Sequence, residues 1–143
     1  MTAREAESMV FIDSNIVLYA LGNDEEKKTA AFDLLTALPA PYLSTQVINE
    51  CSHVLRRKLK RSPSQVTEDL SAIIALVNLL DVSINEVYTA WRLSERYGYG
   101  HYDSLILATA LTNNCDILYS EDMQHKQLVE NQLTVINPFV NNK

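Results

Sequence analysis

Four acidic residues carry the chemistry this sequence offers: Asp13, Glu50, Asp103 and Asp122. Asp13 closes the apolar run Met9-Val10-Phe11-Ile12, and Asp122 follows the run Ile117-Leu118-Tyr119-Ser120. An apolar run that stops at an acid reads as a buried strand with a carboxylate at its end. Alone, each acid has an ordinary structural reading: Asp13 and Asp122 as turn formers, Asp103 as a helix N-cap, Glu50 as a surface residue. Together they have another. Two bare carboxylates about 4 Å apart repel by roughly 4 kcal/mol at an effective dielectric near 20. A cluster of three or four stays ionised only with a cation among them.

The elements needed to bring them together are legible in order. Residues 1–8 read as a frayed tail. After the first strand comes a short helix ending near Gly22, then a helix capped by Asp24 with Ala31, Leu34, Leu35 and Leu38 at helical spacing. Pro39 and Pro41 stop it, and Tyr42-Leu43 begins a second strand. Ser44 or Thr45 caps a helix whose buried stripe is Val47, Ile48, Cys51, Val54, Leu55 and Leu59, with Glu50 on its shoulder. Ser62-Pro63-Ser64-Gln65 has the form of a capping box and opens a helix through Val77. Leu79–Val82 reads as a strand. Ser83 and Glu86 form a second box, for a helix expected to turn Ile84, Val87, Tyr88 and Trp91 inward and to end at Gly98. Asp103 starts a helix apolar nearly all round, and so buried on the sheet. Leu133–Ile136 is the last strand.

Strands alternating with helices, without two-residue hairpins, predict one domain over residues 1–143. Its fold class is a three-layer α/β/α sandwich on a parallel sheet of four to five strands. Helices following parallel strands begin at the carboxyl edge, where such sheets bind ligands, so all four acids are expected at one crevice.

Composition sets the bounds. At 143 residues, with 47% hydrophobic and 21% charged residues, the chain fits one soluble globular domain. Neither a spanning segment nor a signal-peptide pattern is visible, which makes the cytoplasm the expected compartment. Cys51, Cys115 and three scattered histidines lack zinc spacing, so the thiols are expected buried and free. The net charge of −6 argues against a protein that coats nucleic acid. Against that background, Arg56, Arg57, Lys58, Lys60 and Arg61 concentrate positive charge in one short run.

Oxygen ligands without a His or Cys set select Mg²⁺ or Mn²⁺, one or two ions, which keep waters and complete their shell with substrate phosphate. Phosphodiester hydrolysis is the chemistry such a set performs. An aspartyl-phosphate phosphatase would want Asp-x-Asp after the first strand, where Asn15 stands second. A receiver domain would want paired acids there and a phospho-acceptor where Ser83 sits.

Asp13-Ser14-Asn15, Glu50 in its Ser44-Thr45-anchored helix, Tyr102-Asp103-Ser104-Leu105-Ile106-Leu107-Ala108-Thr109-Ala110, and Ser120-Glu121-Asp122 resemble the motifs of PIN-domain ribonucleases. In size and simplicity the chain is similar to their VapC-type toxin branch. The resemblance implies a Mg²⁺- or Mn²⁺-dependent endoribonuclease acting on RNA, homodimerisation, and a cognate antitoxin that covers the site. It implies Asp13, Glu50, Asp103 and Asp122 as the acidic quartet, supported by Ser120 and Asn15, with Glu121 the rival fourth acid. A catalytically inactive PIN-like binding module is the alternative. Should the Glu50 helix run through residue 61, Arg57 and Arg61 would stand roughly 10 and 16 Å from the acid and form an RNA-backbone track. His53 and His101 are expected to be structural.

Overall fold

A computed structural model describes residues 8–140. Apart from Ser8, the expected N-terminal tail lies outside the described residues. Six strands form one sheet: β1 (Val10–Ile12), β2 (Tyr42–Ser44), β3 (Asn78–Leu80), β4 (Ile117–Tyr119), β5 (Leu128–Val129) and β6 (Leu133–Ile136). Their spatial order is β3-β2-β1-β4-β6-β5. All neighbours pair in parallel except β5 with β6, which run antiparallel. The parallel part thus has five strands, within the four to five expected. The sixth is a two-residue edge strand that carries too little sequence to show a period.

Six helices occupy the crossovers among the described residues: α1 (Ser14–Ala20) and α2 (Glu25–Leu35) join β1 to β2, and α3 (Thr45–Arg57) and α4 (Pro63–Ile74) join β2 to β3. Then α5 (Ile84–Tyr97) and α6 (His101–Thr112) join β3 to β4. The helix packing is α1 on α2 and α3, α3 on α4, and α5 on α6. Chain direction across the sheet reverses after β3, so right-handed crossovers put the first four helices on one face and the last pair on the other. Alternation breaks after β4, where the chain reaches β6 through β5 without a helix. No helix among the described residues is long and apolar enough to cross a membrane.

The core forms where both faces of the sheet are covered. Phe11, Ile12, Leu43, Leu118 and Val135 are fully buried from the strands, and Ile16, Val47, Leu55, Leu93 and Leu107 from the helices. Helix α6 is buried from Ser104 through Ala110. Cys51 and Cys115 are free and buried.

Three sequence expectations fail locally. Helix α2 ends at Leu35 and α3 at Arg57, so Leu38 and Leu59, placed in their buried stripes, are exposed. Likewise α4 ends at Ile74, before Val77. The third failure is α5, which is turned: of the four residues expected inward Val87 packs against the core, but Ile84, Tyr88 and Trp91 are 57%, 55% and 56% exposed, while Glu86, Ala90 and Leu93 are buried. Both sets have helical spacing, and apolarity ranks them in the wrong order. Glu86 tolerates burial because its carboxylate accepts from the Ser83 N–H (2.9 Å), the Ser83 hydroxyl (2.8 Å) and the Thr112 hydroxyl on α6 (3.1 Å). A buried acid whose lone pairs are filled avoids most of the desolvation penalty.

Candidate active site

The sheet order places a topological switch point between β1 and β4, because the chain builds outward from β1 on one side and from β4 on the other. Pairing continues to the crevice: the Asp13 N–H donates to the Tyr119 carbonyl (3.0 Å) and the Ser120 N–H to the Ile136 carbonyl (3.0 Å). Asp13 and Ser120 therefore leave adjacent strands side by side, with their carboxylate and hydroxyl held by strand register.

Asp13 is the deepest acid, 3% exposed. It is the N-cap of α1, and its Oδ1 accepts from the Ser14 N–H at 2.7 Å. Its Oδ2 accepts from the Ser120 hydroxyl at 2.8 Å and the Asn15 amide at 3.4 Å. Burial pushes its pKa up to about 7, with Glu50 and Asp103 adding to the rise and the Ser120 and Ser14 hydrogen bonds opposing it. The helix-cap role and the place in the acidic crevice coincide in this residue.

Glu50 comes from the second turn of α3, a helix capped by Ser44. Its Oε2 accepts from the Ser14 hydroxyl (3.1 Å) and its Oε1 from the Gln46 amide (2.6 Å), which also donates to the Tyr102 carbonyl (3.0 Å). Gln46 thereby ties α3 to the start of α6. Cys51, one residue on, donates to the Ser14 carbonyl (3.7 Å). Its thiol is pushed far up by burial and by Glu50 and Asp13, leaving no thiolate for chemistry.

Asp103 is in the first turn of α6, whose N-cap is Gly100; the helix starts at His101, and the cap reading of Asp103 is set aside. Its carboxylate accepts no hydrogen bond among the described residues, and its pKa is raised by burial, then by Asp122 and Glu50. Asp122 sits beyond β4 and accepts from the Asn15 amide at 3.0 Å. Its own N–H donates to the Ser120 hydroxyl (3.2 Å). Asp103 thus feels Asp122 and Glu50, and Asp13 feels Glu50 and Asp103, which links the four acids from separate parts of the chain.

The two adjacent acids after β4 take different directions. Glu121 turns out of the crevice to pair with Lys27 at 2.7 Å and to accept from the Tyr19 hydroxyl at 2.5 Å. Burial acts to raise its pKa, but Lys27 and Tyr19 outweigh that and hold it low. The Glu121 N–H meanwhile donates to Asn15 Oδ1 (3.1 Å). Asn15 thus braces the last loop with both ends of its amide. Lys27 and Tyr19 carried no signal of this kind in the sequence.

The basic run divides. Helix α3 stops at Arg57, and Lys60 takes a left-handed conformation with φ of 57°, so Arg61 is off the helical face of Glu50. Arg61 pairs with Asp69 of α4 at 2.6 Å and donates to the Leu21 carbonyl, which ties α4 to the end of α1. That corrects the proposed two-arginine track: Arg61 is a structural clamp, and Arg57 remains exposed at the helix end. His53 and His101 are also exposed rather than structural.

Beside the acids, a groove of about 800 Å³ runs between α3 and α6, lined by Gln46, Asn49, His53, Val82, Tyr102 and Leu105. Of the four acids, only Glu50 lines it. Among the described residues, no three His, Cys, Asp or Glu side chains are gathered as a ready-made ion site. What fits a hard divalent cation is the donor set: four mutually repelling carboxylates, no nitrogen or sulfur ligand, and no Lys or Arg paired with any of them among the described residues.

A buried acid at the switch point of a parallel sheet, with further acids from α3, α6 and the end of β4 around it, defines a class of α/β protein with an acidic crevice at the sheet's edge. The PIN domain model matches residues 10–131, and the chain belongs to that family. Solved structures agree in fold. VapC20 of Mycobacterium tuberculosis, described as a sarcin–ricin-loop-cleaving toxin, superposes with a TM-score of 0.64 at 18% identity, covering 79% of this chain and 89% of its own. A toxin–antitoxin complex from Klebsiella pneumoniae gives a TM-score of 0.69 at 18% identity, covering 92% and 98%. VapBC2 from Rickettsia felis, bound to a promoter DNA fragment, gives 0.66 at 19%, covering 90% and 99%. No curated protein sequence matches this chain.

Proposed function

We propose that this protein is a Mg²⁺- or Mn²⁺-dependent endoribonuclease, the toxin of a toxin–antitoxin pair. The observation that carries the reading is the convergence of Asp13, Glu50, Asp103 and Asp122 at the β1/β4 switch point without a neutralising Lys or Arg among the described residues. Asp13, Asp103 and Asp122 would hold the ion, with Glu50 at its edge. When bound, the cation supplies Lewis-acid stabilisation of charge on the phosphate and the leaving oxygen.

The remaining work falls to the chain. Asp13 is held in one orientation by Ser14 and Ser120, which limits the reorganisation needed when a ligand arrives. Glu50, steadied by Ser14 and Gln46, would accept the proton of a water that attacks phosphorus. The carboxylates do not attack phosphorus themselves. In the adjoining groove the exposed Tyr102 ring offers a face for an unpaired base, and Arg57 lies on the same helix as Glu50 to meet backbone phosphate.

The similar VapC and FitB structures include antitoxin complexes, some bound to DNA. By that likeness the proposed partner is a cognate antitoxin; a second copy of this chain and a cytoplasmic location are part of the proposal on the family resemblance alone. The test is labelled RNA incubated with the wild type and Asp103→Asn, in Mn²⁺ and in EDTA. Cleavage that needs the metal and vanishes in the variant is the expected result. RNA binding without any metal-dependent cleavage would instead leave an inactive PIN-like binding module.

A further inference from the structure

The end of β4 carries two adjacent acids that the fold sends in opposite directions. Asp122 faces Asn15, while Glu121 turns to Lys27 of α2 and Tyr19 of α1. The Lys27 ammonium is 2.7 Å from Glu121 Oε2 and 3.1 Å from the Tyr19 hydroxyl. It also lies 4.5 Å from the centroid of the Tyr19 ring and 5.1 Å from that of Phe139, and those two rings meet edge to face at 5.0 Å. The Glu121 carboxylate and the two rings of Tyr19 and Phe139, the first also through its hydroxyl, thus fix a side chain that remains one-third exposed. Partly exposed ion pairs add little to stability, so this degree of constraint is more than folding requires.

The constraint leads into the acidic crevice. The Glu121 N–H donates to Asn15 Oδ1 at 3.1 Å, and the Asn15 amide donates to Asp122 Oδ2 at 3.0 Å and approaches Asp13 Oδ2 at 3.4 Å. Between them, the Ser120 hydroxyl donates to Asp13 and accepts from the Asp122 N–H. An unbroken path of polar contacts joins Lys27 to two of the four acids. We infer that Lys27 is a positioning residue for the crevice: by holding Glu121 outward it fixes the β4 loop and Asn15, and so sets Asp13 and Asp122 for a divalent cation. Tyr19 shares the task by accepting from Lys27 and donating to Glu121. The inference rests on reading the acids as cation ligands.

Electrostatics makes it testable by sign. A lysine beside a cation site repels the ion, so removing its charge should by itself tighten binding. A positioning role predicts the reverse. Mn²⁺ would be titrated calorimetrically into the full chain as wild type, Lys27→Met, Lys27→Arg and Tyr19→Phe, with melting temperatures recorded alongside. Lys27→Met is expected to raise the Mn²⁺ Kd about tenfold, the low end for partners that orient ligands, with a change of only a few degrees in melting temperature. Lys27→Arg should restore most of the affinity, because a guanidinium can still pair with Glu121. Tyr19→Phe should give a smaller loss in the same direction. Unchanged or tighter Mn²⁺ binding by a folded Lys27→Met protein, with a wild type that binds, overturns the positioning role alone. A wild type that does not take up Mn²⁺ overturns the cation reading of the crevice, and this inference with it.

Discussion

Two groups of acids in this molecule differ in what balances them. Glu121, Asp69 and Glu130 each pair with a basic side chain, Lys27, Arg61 and Arg96 in turn, and each pair joins separate elements of the fold. Asp13, Glu50, Asp103 and Asp122 have one another's charge for company instead: Glu50 and Asp103 act on Asp13, and Asp122 and Glu50 act on Asp103. Hydroxyl and amide groups brace three of them, and no Lys or Arg pairs with any among the described residues. The first arrangement is self-sufficient. The second carries repulsion that only protons or an external cation relieve, and the fold tolerates it because the surrounding core is well packed.

That contrast breaks most directly at Asp13. Asp13→Asn is expected to abolish metal-dependent RNA cleavage while raising the melting temperature of the metal-free protein, because the repulsion and the desolvated charge go together. Loss of folding in circular dichroism would instead return Asp13 to the paired, structural group.

The same residue predicts a pH dependence. Its folded pKa of about 7 lies above the unfolded value of 3.8, so the folded state holds the proton more tightly. Stability from this group is fully present below pH about 4 and is lost as pH rises through about 7. Without metal, therefore, the wild type should lose stability relative to Asp13→Asn between these values. Added Mn²⁺ should stabilise the wild type more at pH 8 than at pH 5, since a cation must displace that proton. Melting curves of both proteins across pH, with and without Mn²⁺, read this out; a gap independent of pH would count against it.

A smaller effect separates a brace from a ligand. Ser120→Ala removes the donor to Asp13 and the acceptor for the Asp122 N–H. It should cost about 1–3 kcal/mol of stability by urea denaturation and weaken Mn²⁺ binding together with it.

The basic residues sharpen the contrast from the other side. Arg61→Ala should destabilise by about 1–2 kcal/mol through its lost hydrogen bonds and leave the salt dependence of RNA binding alone. Arg57→Ala should leave stability unchanged and lower the salt slope by about one. Equal effects of both on binding would restore the two-arginine track. Smallest of all, Trp91→Ser on the outward face of α5 should change stability by no more than about 0.5 kcal/mol, whereas an inward Trp91 would cost several times that.

The sequence by itself determined the strand–helix order as far as β4, the parallel sheet and the four acids as candidates, because buried strands, capping boxes and strand-end carboxylates are local patterns with local causes. Ser62-Pro63-Ser64-Gln65 specifies a helix start wherever it is placed, and the box forms as written. Tertiary structure alone decided which way α5 faces, since two stripes of equal spacing compete and the winner depends on Thr112 of α6 being there to satisfy Glu86. It decided that Arg61 clamps α4 to α1, because the helix stops four residues earlier. It also decided the directions of Glu121 and Asp122: the two are chemically near-equal in the sequence, and partners far off in the chain, Lys27 at 94 residues and Tyr19 for Glu121, Asn15 for Asp122, set them apart. Long-range charge pairing has no period to read, so it becomes visible only when the chain is folded.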